Sequence, residues 1–266
     1  MIPVADNSLK NNMLKTLKIR NITIGEGMPK ICVPIVGRTK EDILTEARSF
    51  DRIPVDVVEW RVDWYEQAGD IQAVLDILKN LREILGETVL LMTFRTSKEG
   101  GERAIAPADY EALNLAAAGS GYVDLIDTEI YTGDDTVSRI IEGAHDAGVY
   151  VIASNHDFDR TPDKADMIGR LNKMQQMGAD LLKLAVMPHS TRDLLTLLDA
   201  TEEMNRVYAK RPVITMSMGG MGVLSRICGE VFGSALTFGA AGCASAPGQM
   251  EVEDLHTMLQ LLHGAM

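Results

Sequence analysis

At 266 residues the chain is long for one ordinary domain and near the ~250 residues of a single α/β barrel. Its 46% hydrophobic and 24% charged residues exclude a disordered or fibrous protein. With 26 Lys and Arg against 38 Asp and Glu, a net charge of −12 makes nucleic acid and anionic membrane surfaces poor partners, so an anionic substrate needs a local basic cluster.

In chain order, the opening MIPVADNSLKNNMLK has no apolar run behind a basic start, so no signal peptide is expected. No later stretch approaches the ~20 apolar residues of a membrane span. The segment LKIRNITIGEG, ahead of Lys30, is predicted to be a short β-hairpin closing the bottom of a barrel. From Lys30 onward, short apolar β-branched runs alternate with amphipathic stretches. The runs are at 31–36, 55–60, 88–94, 122–129, 149–154, 181–187, 212–218 and 234–240. Each has strand length and is too continuous for a sheet with one wet face. Helices are predicted between and after them, at 39–52, 70–85, 107–119, 134–147, 162–178, 190–209, 220–232 and 250–263. Thr161-Pro162 and Ser190 look like helix starts.

Eight strand–helix units predict an α/β fold of the (β/α)8 TIM-barrel class, as one domain over 1–266 with residues 1–29 as extension and hairpin. A doubly wound sheet would carry a GxGxxG turn after its first strand, and here that strand ends in VGRTKED. Cys32, Cys228 and Cys243 form neither a disulfide framework nor a CxxC metal pair, so a reducing cytoplasm is the expected location.

In such a barrel the active site sits at the carboxyl ends of the strands. The polar residues expected there are Glu59, Arg61 and Asp63, then Arg95 with Lys98-Glu99-Gly100-Gly101-Glu102, then Asp127 and Glu129. Asn155-His156-Asp157, Lys183 and the Ser245-Ala246-Pro247-Gly248-Gln249 turn follow. Lys183 is the most informative, because it stands inside the apolar run LLKLAV. A lone strand lysine usually snorkels to the surface. A barrel strand has no wet face, however, so an inward lysine is enclosed, and enclosure favours the neutral amine that forms a Schiff base with a ketone.

His156 reads either as a hydrogen-bonded loop histidine or as a general acid–base beside that lysine, with Glu99 or Glu102 fixing its tautomer. No HxH or HExxH spacing supports a metal site. Arg226, expected at the amino end of the helix after the seventh strand, suits a substrate carboxylate or is a surface arginine. Arg61 and Arg95 are as easily structural partners of Glu59 and Asp63 as they are ligands. Ser245 and Gln249 would give a neutral donor pair over the mouth, suited to a polyhydroxylated ring.

Taken together, the segments EWRVD (59–63), TFR through KEGGE (93–102), VDLIDTE (123–129), SNHDF (154–158), GADLLKLAVMP (178–188), SRICGEVFGSALTFG (225–239) and SAPGQ (245–249) resemble the type I 3-dehydroquinate dehydratases, lyases of the shikimate pathway. The resemblance implies that Lys183 forms an imine with the ring ketone and that His156 moves the proton with Glu99 as partner. Arg226 would bind the carboxylate, and Glu59, Arg61, Arg95, Ser245 and Gln249 the hydroxyl side. It further implies syn elimination of water from 3-dehydroquinate, no metal or organic cofactor, and a homodimer. A class I aldolase, a metal-dependent barrel using Glu59, Asp63, Glu129 and His156, and a non-catalytic binder of a cyclic carboxylate are the alternatives.

Overall fold

The computed structural model describes residues 16–242 and 245–266. The expectations for the N-terminal 15 residues, and for Cys243, lie outside the described residues. β1 (Leu17–Ile19) and β2 (Ile22–Ile24) form the expected antiparallel hairpin. The parallel strands follow: β3 (Lys30–Ile35), β4 (Val57–Arg61), β5 (Val89–Thr93), β6 (Leu125–Glu129), β7 (Tyr150–Asp157), β8 (Leu181–Val186), β9 (Val213–Ser217) and β10 (Leu236–Ala240). Each pairs in parallel with the next from β3 to β9, and β10 pairs back on β3. A bridge between Val213 and Ser234, with Ala235 N–H donating to the Val213 carbonyl at 2.7 Å, joins β9 to β10 and closes the ring. The two-residue β11 (Met250–Glu251) adds to β10.

The helices are α1 (Lys40–Ser49), α2 (Ile71–Leu85), α3 (Pro107–Ala118), α4 (Asp134–Asp146), α5 (Lys164–Gln176), α6 (Thr191–Glu203), α7 (Leu224–Ile227), α8 (Gly229–Phe232) and α9 (Val252–His263). Alternation along each strand separates two apolar layers, because successive side chains point to opposite faces. Val58, Trp60, Leu90, Met92, Ile126, Leu182 and Leu184 face the helices. Val57, Val89, Leu125, Ile152, Leu181 and Ile214 fill the barrel's amino-terminal half. Leu17, Ile19 and Ile24 of the hairpin pack on this inner cluster and plug the bottom. Arg20, held at φ 49°, ties the hairpin turn to Asp124 at 2.6 Å and Glu87 at 3.2 Å. The lower half is therefore filled by hydrocarbon, and polar chemistry is confined to the upper half.

Three local expectations need correction. The helix expected over 220–232 is broken into a 3-10 turn, α7 and α8. Five glycines between Gly219 and Gly233 weaken helix propensity there, and Gly222 lies so close to the Ser217 carbonyl that any Cβ would clash. Thr161-Pro162 does not start α5, whose cap is Asp163 accepting from the Asp166 N–H. Ser190 does cap α6, in a capping box with Asp193. α6 itself ends at Glu203 and passes into a π turn over Met204–Tyr208.

Candidate active site

The alternation that fills the bottom with hydrocarbon brings charged side chains inward near the top. Glu59 and Arg61 on β4, Thr93 on β5 with Arg95 beyond it, Asp127 and Glu129 on β6, Ser154 and His156 on β7 and Lys183 on β8 occupy inward positions. All are buried except His156, which is nearly so. So many buried charges are tolerable only if each is paired.

The pairing is nearly complete. Arg61 makes a bidentate contact with Asp63, both bonds 2.8 Å. Arg95 binds Asp127 at 2.7 Å, Glu129 at 3.0 Å and the Ser154 hydroxyl at 2.9 Å. The structural partners of Arg95 are thus on β6, not Glu59 and Asp63, although its backbone N–H donates to Asp63 at 3.2 Å. Those carboxylates hold the Arg95 guanidinium firmly charged against the opposing cost of burial.

Lys183 Nζ stands 3.8 Å from Glu59 Oε1, 3.8 Å from Asp127 Oδ2, and 4.3 Å above the centre of the Phe238 ring. The Thr93 hydroxyl donates to Glu59 Oε1 at 2.9 Å and fixes that carboxylate. Phe238 and Asp127 are neighbours of the nitrogen whose roles do not show in the motifs. Their inward parity on β10 and β6 is the signal that marks them.

Of the two glutamates considered for His156, Glu99 is the partner. Its Oε2 accepts from the His156 backbone N–H at 2.9 Å and meets Nδ1 at 3.0 Å, while Oε1 accepts from the Asn155 amide at 3.0 Å. Glu102 instead pairs with Arg38 at the surface. The KEGGE glycines explain how Glu99 gets there. Gly100 has φ +81° against the Phe158 ring, and a Cβ on Gly101 would overlap the Arg95 carbonyl. His156 lies within β7 rather than after it, so the strand itself sets its backbone.

Burial pushes the Glu99 carboxyl up to about 7, helped by Glu129 and opposed by Arg95 and the hydrogen bonds. Burial first, then the positive charges of Arg95, Lys183 and Arg61, push the His156 imidazole well below its ordinary value. The imidazole is therefore neutral at pH 7. With Nδ1 turned to Glu99, Nε2 is left as a free base.

Arg226 is the third residue of α7, which is a single turn rather than the start of a long helix. It is 1% exposed, donates to the Pro247 carbonyl at 3.1 Å, and among the described residues its Nε has no partner. Burial alone lowers its pKa to about 10, with no carboxylate opposing. A buried cation without an anion is costly. The Ser225 hydroxyl, which accepts from the Ser217 N–H and donates to the Gly222 carbonyl, pins the turn that carries it. Across the mouth, Gln249 Nε2 donates to the Ser245 hydroxyl at 3.0 Å and Gln249 Oε1 accepts from the Ser245 N–H at 2.8 Å. Gly248, at φ +78°, packs on Gly219 with no room for a side chain.

All nine predicted residues line one pocket of about 470 Å³ with Lys183 among its walls. A larger space of about 870 Å³ opens on the far side of Glu99 and His156, bounded by Ile105, Pro107 and Tyr131, but Lys183 does not reach it. The carboxylates of the metal-dependent alternative are engaged elsewhere. Asp63 is clamped by Arg61, Glu129 by Arg95 and Thr96, and Glu59 by Thr93. What the pocket offers is an enclosed amine, a neutral imidazole base and an unpaired guanidinium.

A family model described as type I 3-dehydroquinase matches residues 31–266. A 3-dehydroquinate dehydratase of Clostridium botulinum is 53% identical over 251 residues, covering 94% of this chain and 99% of that protein. One from Clostridioides difficile is 51% identical, covering 94% and 98%. A crystal structure of the type I enzyme from Clostridium difficile, with covalently modified comenic acid, superimposes with TM-score 0.92 at 50% identity, covering 95% and 99%. The Geobacillus kaustophilus 3-dehydroquinate dehydratase structure gives TM-score 0.92 at 38% identity, covering 96% and 98%. With this pocket and these matches along nearly the whole length of each relative, the chain belongs to the type I 3-dehydroquinase family.

Proposed function

We propose that this protein dehydrates 3-dehydroquinate to 3-dehydroshikimate through a Schiff base on Lys183. The carrying observation is that Lys183, His156 and Arg226 line a single pocket, with the guanidinium lacking an anion. The Lys183 amine adds to the ring ketone, and loss of water gives a cationic imine that acidifies the adjacent carbon. Neutral His156 takes the proton from that carbon. The same imidazolium then delivers it to the departing hydroxyl, so water leaves syn, and hydrolysis frees the product and the amine. Glu99 holds the ring and accepts charge when the imidazole is protonated. The imine is the electron sink, so activity should survive chelators.

Arg226 supplies the counter-charge for the substrate carboxylate. Glu59, Arg61, Arg95, Ser245 and Gln249 are assigned to the hydroxyl side, with Arg61 and Arg95 acting while still tied to their own carboxylates. The covalent comenic acid in the clostridial structure is in keeping with a reactive residue in this fold. The test is mass spectrometry after borohydride treatment with and without 3-dehydroquinate. We expect a substrate-dependent adduct on Lys183; labelling of another lysine, or none in active enzyme, overturns the assignment.

Arg226→Ala should weaken substrate binding by ~2–5 kcal/mol, the loss for a buried charge pair broken on one side. Burial that lowers its pKa to about 10 costs the folded state on the order of 3 kcal/mol at neutral pH. Arg226→Met, which keeps the bulk, should therefore leave Tm unchanged or raise it while KM rises. A lower Tm with normal KM would assign the arginine to structure.

Ser245→Ala and Gln249→Ala should each raise KM with little change in kcat. These side chains now satisfy each other, and substrate must replace that bond. Two unaltered kinetic constants would remove the pair from the binding site. A homodimer in the cytoplasm belongs to the same proposal, and a monomer in sedimentation equilibrium at assay concentration would remove its first half.

A further inference from the structure

Asp127 is fully buried and takes no direct part in the reaction as written above. Its two oxygens are treated unequally. Oδ1 accepts from Arg95 Nη2 and from the Ser154 hydroxyl, each at 2.7 Å. Among the described residues, Oδ2 has no hydrogen-bond partner, and it lies 3.8 Å from Lys183 Nζ. A buried carboxylate oxygen left open in this way is expensive unless some state of the protein uses it. Asp127 is also absent from the residues that line the pocket, so it meets Lys183 from behind rather than the substrate.

We propose that Asp127 is a positioning residue and the counter-ion of the imine, its open Oδ2 receiving the single N–H that the nitrogen retains. The proposal rests on the assignment of the imine to Lys183. When the amine adds to the ketone carbon, a C–N bond forms and the carbonyl oxygen becomes a hydroxyl. That hydroxyl takes a proton from solvent water and leaves as water, and the nitrogen lone pair forms the double bond. The nitrogen keeps one hydrogen and a positive charge, and Asp127 stays a carboxylate throughout.

Holding this charge in place matters because only the protonated imine acidifies the neighbouring carbon strongly. Arg95 and Ser154 set the angle of the carboxylate, and Phe238 supports the nitrogen from the opposite strand. Glu59 also faces the nitrogen, but from the pocket wall.

Asp127→Asn keeps the shape and an acceptor for Arg95 but removes the charge. kcat should fall about 10²-fold with KM nearly unchanged, the loss typical of one preorganised electrostatic group. The alkaline limb of kcat should move to lower pH, because an imine without its counter-ion loses its proton more readily. Other groups facing the nitrogen or Asp127 are Glu59 on β4, Arg95 beyond β5, Glu129 on β6, His156 on β7 and the Cys32 thiol on β3, and all are retained in the variant. A purely structural role would not move the limb.

Borohydride capture gives a second readout, since hydride attacks the protonated imine. Adduct yield should drop in Asp127→Asn as pH rises, more steeply than in the unaltered enzyme. Should Asp127→Asn fail to fold, Ser154→Ala releases one of the two donors on Oδ1 and should shift the limb in the same direction by less. An unmoved limb and pH-independent capture in whichever variant folds overturn the proposal. Absence of any Lys183 adduct in the unaltered enzyme overturns instead the Schiff-base reading on which it stands.

Discussion

Lys183→Ala is expected to abolish covalent capture and turnover together while substrate still binds. Loss of a covalent nucleophile that works with a paired base costs ~10⁶-fold in kcat. Calorimetry should still detect binding, because Arg226 and the Ser245–Gln249 turn remain in the pocket. The substitution also has a structural cost. It leaves the buried Glu59 and Asp127 side chains without the nitrogen that stands 3.8 Å from each. Stripping one partner from a buried ionic cluster typically costs ~3–5 kcal/mol, so Tm should fall as well. Lys183→Met should bind and fail to react in the same way. Residual borohydride capture of substrate by either variant would place the imine on another lysine.

The strands were legible in the sequence because a barrel core leaves a plain mark: each buried run is apolar on both faces. Lys183 stands out against that background: a lone strand lysine usually snorkels to the surface, and only the barrel context, which leaves a strand no wet face, makes enclosure the better reading. Glu99 was harder. Its place depends on two glycines that let the chain after β5 fold under Phe158 and over the Arg95 carbonyl, and neither contact shows in a linear reading.

The partners of Arg95 are not legible in the sequence for a related reason. Glu59 and Asp63 are near it in the pattern of motifs, but the strand register puts Thr93 beside Asp127, which sets Arg95 above the β6 carboxylates. Asp127 itself was visible at its strand end without a role, because charge count along a strand does not tell which oxygen is left open. Arg226 sits on a one-turn helix, because the glycine-rich segment breaks the long helix expected there. Its value as a ligand comes from burial without an anion, a property of the packed molecule alone.

His156→Ala should separate the two halves of the chemistry. Condensation of the Lys183 amine with the ketone needs only protons that water can carry, so the variant should still be captured by borohydride on Lys183. Removal of a proton from carbon needs a positioned base, and general acid–base assistance is worth ~10²–10⁴-fold. In the proposed mechanism one imidazole serves both the abstraction and the departure of the hydroxyl, so kcat should fall by at least ~10⁴-fold. The change should not disturb its surroundings. Glu99 keeps the backbone N–H at position 156 and the Asn155 amide, at 2.9 and 3.0 Å, whatever side chain follows. The captured species should also change identity. An enzyme that completes elimination accumulates adduct that has lost the ring water, whereas His156→Ala should accumulate adduct heavier by that one water. Near-normal turnover in this variant, or capture only of the lighter adduct, would move the base to another residue, and Glu59, which faces the same pocket, would be the first to substitute.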